Sequence, residues 1–475
     1  MTRYLIGIDN GSQSTKVSVF DEHGAVICEG RHALRPGDTP RPGIVEHPED
    51  DLWFSVGVAS RRAMRAFPGD FTEIAGVGLC TIRFCRALLK EDGALASPVM
   101  SWMDERVSRP YEHSAEDVRY VTTSSGYISH RLTGQFKDTA ANYQGMWPIS
   151  TDRWEWLRGD EGFASYGIPR DMLFDLVMPG QLLGHVTPAA SRHTGIPAGL
   201  PVVATANDKA VEALGCGLRS SDTLLVSLGT YIASMTTGRQ NVAGASSFWS
   251  NFASVPHKYL YESLGIRRGM WTVSWWRDLL GGDVLRAAEE RGIPLEKYMD
   301  LEAAKVTAGS DGLMVVLDWL GPADAPFKKG SMLGFDVRHG PFHVHRAILE
   351  GIALTIRRCG MAMGKELGES FSRLVISGGG SRSDLFMHIF ADVFGMRAVR
   401  GKVANAAALG SAICVAVGQG LYPSWSDAVD KMVSWDPAFA PDARNHGLYQ
   451  RMSAVYDQIP EATDKIFEQS YRIFG

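Results

Sequence analysis

The sequence predicts an α/β protein built from two related halves. Three observations carry that expectation. A strand runs into a glycine and hydroxyl turn and out into a second strand at "GIDNGSQSTK" (7–16), and the same pattern recurs at "LLVSLGTYIASMTT" (224–237). A third glycine turn, "LVISGGGSRSD" (374–384), joins a strand to an apolar helix. At 475 residues the chain is long enough to divide into domains rather than build one core.

Taken in order, Tyr4 to Ile8 is a short apolar run ending at Asp9. Val17 and Val19 alternate with polar neighbours beyond the turn, and "AVICEG" follows His23-Gly24, which predicts a three-strand meander. In a P-loop or a dinucleotide-binding turn the glycines open a helix; here they open a strand, and G-x-x-x-x-G-K-[ST] is absent. Such a turn aims backbone N–H groups to one side, which suits an anion. Gly11 permits close approach, while Ser12, Thr15 and Lys16 add donors or positive charge. Asp9 would repel bare phosphate, so its presence fits a phosphate site only with a cation such as Mg²⁺ between them. A plain hairpin with a polar tip accounts for the same residues.

Further on, the strand "PVVATA" leads to Asp208 and an alanine-rich helix, where a carboxylate is either fixed toward a cleft or serves only as an N-cap. The crossover "GCGLRSSDT" is the best boundary, giving halves 1–217 and 218–475. In the second half Gly229-Thr230 match Gly11-Ser12, and Ser227 stands where the first half has Asp9. Trp271 and Trp275, four apart in "WTVSWWRDLL", share one face of a predicted helix and read as packing. Polar helices are expected after Tyr422. The only histidine cluster, "HGPFHVHRA", lacks partners at ligand spacing, so no structural zinc is expected.

Composition narrows the function classes. With 45% hydrophobic and 21% charged residues the chain reads as globular, and a net charge of -5 offers no broad attraction to nucleic acid or acidic lipid. Six scattered cysteines without a C-x-x-C pair read as reduced core residues. The first residues lack the apolar length of a signal peptide, and no run approaches the ~20 apolar residues of a membrane helix. A cytoplasmic protein is expected.

The order of motifs resembles the FGGY carbohydrate kinases, whose ATPase fold is shared with actin, Hsp70 and hexokinase. The resemblance rests on "GIDNGSQSTK", "WMDER" (102–106), "HRLTGQFKDTAANYQG", "ATANDKAVEALGCG", "SLGTY", "DGLMVVLDWLG", "HVHRAILEGIALTIR", "ISGGGSRSDLFMHIFADVFG" and "NAAALGSAICVAVGQG", and spans nearly the whole chain. It implies two actin-like (ribonuclease H-like) domains with mixed sheets flanked by helices, ATP and sugar in the cleft between them, and phosphorylation of a sugar or polyol hydroxyl. On the matching positions it implies Asp9 as the Mg²⁺-linked acid, Gly11, Ser12, Thr15 and Lys16 as the first phosphate loop, and Gly229 and Thr230 as the second. Gly379, Gly380 and Ser383 match the adenine-binding turn, and Asp208 the catalytic base.

Trp102, Asp104 and Arg106 would face the sugar, or alternatively form a buried acid-base pair beside a core tryptophan. Lys209 would steady Asp208 or reach the substrate. The chain departs from the family at "CTIRFCRALL", where Ile82 and Phe84 replace polar positions and Arg83 falls where glycerol and autoinducer kinases carry an arginine. The stretch between "WMDER" and "SSGYISHRLTG" is also short. The implied partner is a small sugar or polyol, such as a ketopentose (xylulose or ribulose) or an alditol, with no nucleic acid and no membrane; a homodimer is left open. A catalytically reduced actin-like ATPase or sugar sensor is the competing reading, whereas a sugar-sensing repressor would need a helix-turn-helix ahead of the phosphate strand.

Overall fold

The computed structural model describes residues 3–474 apart from 114, 230 and 323. The meander forms as expected, with β1 (Tyr4–Asn10), β2 (Ser14–Asp21) and β3 (Val26–Ala33) pairing antiparallel in turn. Helix α1 (Asp51–Ala66) then returns the chain so that β4 (Ile74–Thr81) lies parallel beside β1. With β5 (Leu182–His185) and β6 (Pro201–Val203) they make a six-stranded mixed sheet of order β5-β6-β4-β1-β2-β3.

Helix α2 (Asp208–Gly215) leads into the second half. There β7 (Thr223–Leu228), β8 (Ile232–Gly238), β9 (Phe248–Phe252) and β10 (Tyr259–Ser263) precede the long helix α3 (Pro341–Leu367). Strand β11 (Arg373–Gly378), helix α4 (Asp384–Phe394) and β12 (Ala398–Arg400) follow, giving a second six-stranded sheet, β9-β10-β8-β7-β11-β12. The repeat read from the sequence is therefore a repeat of topology. In each sheet the leading strand has an antiparallel hairpin partner on one side and a parallel strand on the other.

Helix α5 (Ala406–Gly418) comes late in the chain, yet it packs on the first sheet and against α2. Glycines make the contact close: a β-carbon at Gly7 would meet the carbonyl of Ala408, and one at Gly410 the carbonyl of Val211. One apolar cluster consequently joins Leu5, Phe20 and Leu214 to Leu409, Ile413 and Val429. The halves also touch around Trp154, fully buried against Phe252, and the Tyr259 hydroxyl donates to the Thr151 carbonyl at 2.7 Å.

Trp271 and Trp275 lie on one helix, Gly269–Leu279, with ring centroids 6.4 Å apart, and Trp275 packs on Trp319. The expected C-terminal helices are Trp425–Met432, Ala443–Tyr456 and Ile459–Phe474. Among the described residues no helix is long and apolar enough to cross a membrane.

Candidate active site

Asp9 is the penultimate residue of β1 and stands opposite Lys16 across the hairpin, its carboxylate 3.5 Å from the lysine ammonium. Burial pushes its carboxyl up to about 6; Lys16 pulls it down, while Asp208 and Glu212 push it further up. Among the described residues no three acids or histidines come together as a metal cage, but a hard cation such as Mg²⁺ takes one or two carboxylates with phosphate oxygens and water, which a single buried acid can serve. The residues present fit Mg²⁺.

The loop after Asp9 presents Gly11 and an exposed Ser12, with the Gly11 N–H closing a turn onto the Ser14 carbonyl at 3.2 Å. Thr15 is placed differently from the other loop residues. Its hydroxyl is fully buried, 2.6 Å from both Asn10 Nδ2 and Ser55 Oγ, and holds the hairpin to helix α1 rather than facing a ligand. Gly229 occupies the matching turn after β7. Thr230 lies outside the described residues.

Asp208 opens helix α2, but the cap is its neighbour. Asn207 adopts the extended cap conformation and its side chain accepts from the Ala210 N–H at 3.1 Å. Asp208 is thereby released from capping; among the described residues its Oδ1 accepts only the adjoining Lys209 N–H, at 2.9 Å. Burial raises its pKa, opposed by Arg83 and then Lys209. A carboxylate free of capping, with a raised pKa and within electrostatic reach of Asp9, suits proton abstraction from a hydroxyl.

Lys209 turns toward the second half, where its ammonium donates to Ser227 Oγ at 2.5 Å and to Glu212 Oε2 at 3.1 Å. Arg83 crosses between halves as well, its guanidinium making a bidentate pair with the buried Glu262 at 2.6 and 2.8 Å. Phe84 beside it has a left-handed backbone (φ 64°), uncommon for a bulky residue.

Of "WMDER", Trp102 is open at 46% exposure, as are Met103 and Glu105. Asp104 is buried, accepting two hydrogen bonds from the Arg106 guanidinium and one from the Val45 N–H. Arg106 also reaches Glu46 at 2.6 Å. The acid-base pair is therefore turned inward, and the tryptophan outward.

In the second half Gly379 and Gly380 lie in the 3₁₀ turn Gly379–Arg382 that follows β11. Ser381 and Arg382 of this turn, with Ser377, Gly378 and the segment 400–404, line a cavity of about 300 Å³, roomy enough for a purine ring; Gly379 and Gly380 are not on its wall. Ser383 serves as N-cap of α4, its hydroxyl accepting the Phe386 N–H at 3.1 Å.

Sequence reasoning missed Glu212 and Glu262. Glu212 follows Asp208 by one helical turn, so i,i+4 spacing would have put the two on one face. Glu262 had no local signal, since its partner Arg83 is 179 residues away.

Family models match most of the chain. The N-terminal domain of the FGGY family of carbohydrate kinases matches residues 4–117 and 107–215, and the C-terminal domain of that family matches 224–418. The two N-terminal pieces meet where the sequence after "WMDER" is short. An Escherichia coli protein described as an uncharacterized sugar kinase, YgcE, is 47% identical over 472 residues, covering 99% of this chain and 96% of that protein. An autoinducer-2 kinase of Klebsiella pneumoniae is 25% identical, covering 96% and 93%. Among solved structures, a xylulose kinase from Rhodospirillum rubrum superposes with a TM-score of 0.81 at 22% identity, covering 98% of this chain and all of that one (100%).

Proposed function

Because the chain belongs to the FGGY family of carbohydrate kinases, we propose that it phosphorylates a hydroxyl of a small ketopentose or alditol with ATP, using Asp208 as base and Asp9 as the Mg²⁺ acid. Family membership makes it a carbohydrate kinase with ATP as phosphoryl donor; the substrate and the residue roles are our reading. The observation that carries it is Asp208, freed by the Asn207 cap and near enough to Asp9, in the same lobe, to raise the Asp9 pKa.

The substrate hydroxyl oxygen bonds to the γ-phosphorus as the bond to the bridging oxygen breaks, ADP leaves with that electron pair, and Asp208 receives the hydroxyl proton. Phosphoryl transfer asks for little beyond positioning and charge neutralisation. Asp9 would hold Mg²⁺, which when bound neutralises phosphate charge. Gly11, Ser12, Lys16 and Gly229 border the phosphates, the turn at Gly379-Gly380 takes the adenine, and Trp102 offers a face to sugar C–H groups. Lobes 1–217 and 218–475 form the two walls.

An ATP-consumption screen over ketopentoses, ketohexoses, alditols and their deoxy forms identifies the substrate. On that substrate Asp208→Asn should lower kcat by roughly 10²–10⁴-fold, with binding and melting temperature preserved because Asn207 still caps the helix. Near-normal turnover would remove Asp208 from the mechanism. A protein that binds sugar and ATP without product would instead be the reduced ATPase or sensor, for which the disposition of Asp208 gives no support.

A further inference from the structure

Lys209 follows the base in sequence, but its side chain belongs to the nucleotide side of the cleft. Its ammonium is bonded to Ser227, two residues before Gly229 on β7. Ser227 is in register with Ser377 on β11, one residue before the Gly378 that opens the cavity turn. The ammonium therefore sits where both nucleotide turns leave the second sheet.

The two sheets give the same arrangement a second time. Ser227 occupies on β7 the position that Asp9 occupies on β1, and each has a lysine ammonium beside it, Lys16 at 3.5 Å from Asp9 and Lys209 at 2.5 Å from Ser227. Glu212 locks the second one. Its carboxylate accepts from Lys209 at 3.1 Å and from the Ser227 hydroxyl at 2.9 Å on both oxygens. An ammonium has three hydrogens to donate. Two are taken here, and among the described residues the third has no acceptor.

We propose that Lys209 donates this remaining hydrogen to a non-bridging oxygen of the phosphoryl group in flight, and that Glu212 is the positioning residue that aims it. The proposal rests on the kinase reading above and changes none of its bond-making: the lysine stays protonated throughout while Asp208 alone takes the hydroxyl proton. A cation held in place before the reaction stabilises developing charge without reorganising, whereas a mobile one does not.

The test compares wild type, Lys209→Met, Glu212→Gln and the double variant Lys209→Met/Glu212→Leu, which removes both charges and avoids stranding a buried carboxylate. Affinity for Mg-ADP and for Mg-ADP with aluminium fluoride, a mimic of the phosphoryl group in flight, is read by calorimetry without any sugar. Lys209→Met and the double variant should weaken the fluoride complex by roughly 10²–10³-fold and leave Mg-ADP within about twofold, with Glu212→Gln between them and wild type. On the sugar found in the screen, kcat should fall with sugar KM nearly constant. Equal losses for ADP and its fluoride complex, or a sugar KM that rises while kcat holds, would overturn the assignment. If no sugar is turned over, the kinase reading fails on its own, and the fluoride comparison still decides the role of Lys209.

Discussion

Asp9 carries a carboxyl at about 6 against an ordinary 3.8, raised chiefly by burial. Without metal the fold favours the protonated form, so the stability Asp9 contributes is fully present below about pH 4 and is lost as pH rises through about 6. Asp9→Asn resembles that protonated form. In EDTA the variant should melt higher than wild type above pH 7, by up to about 3 kcal/mol, and the gap should close near pH 4; thermal melts at several pH values measure it. A gap independent of pH would mean that Asp9 is not the titrating group. At this scale the sequence was legible in position: Asp9 lies at the end of its strand, Gly11 lies in the turn and Asp208 opens its helix, as their spacing implies. It was illegible where a polar side chain had two neighbours to choose from. Thr15, Asp104 and Ser383 each sit in the expected segment, but Asn10 and Ser55, Arg106, and the Phe386 N–H claim their polar atoms first.

Between elements, the Arg83–Glu262 pair ties the strand-end loop of the first sheet to β10 of the second. Arg83→Ala would leave Glu262, which has no exposed surface, without its counter-charge. Breaking such a pair from one side costs roughly 3–5 kcal/mol. Urea denaturation should show that loss, and Arg83→Met/Glu262→Met should recover much of it. A stability unchanged by Arg83→Ala would show that the pair does not hold the halves together. The loop thus has a structural task beside the substrate contact implied by its sequence. Elements were largely legible because their signals are local: apolar runs ending in glycine turns predict β1 and β7, alternation predicts β2, and a glycine turn between an apolar strand and an apolar run predicts β11 and α4. What an all-round apolar helix such as α5 packs against is not local, and it emerges only in three dimensions, from the close glycine contacts at Gly7 and Gly410 and the apolar cluster shared with the first sheet.

For the whole molecule, two sheets of matching topology meet at α2 and α5, with acids and cations of both converging on the cleft. A site that transfers phosphate to a hydroxyl must keep water away from the γ-phosphorus, which a cleft achieves by closing. Small-angle scattering should record a smaller radius of gyration with sugar plus a non-hydrolysable ATP analogue than with neither. Identical radii would argue against closure. The placement of α5 also bears on how the protein comes off the ribosome. Its first residue, Ala406, is made ~190 residues after the first half ends, a delay of about 10–40 s at ordinary elongation rates. Throughout that interval the nascent first sheet lacks the helix that covers Gly7 and Gly78. Its apolar face stays uncovered until α5 is made, so the cover of the first sheet is completed only once the second half has been synthesised.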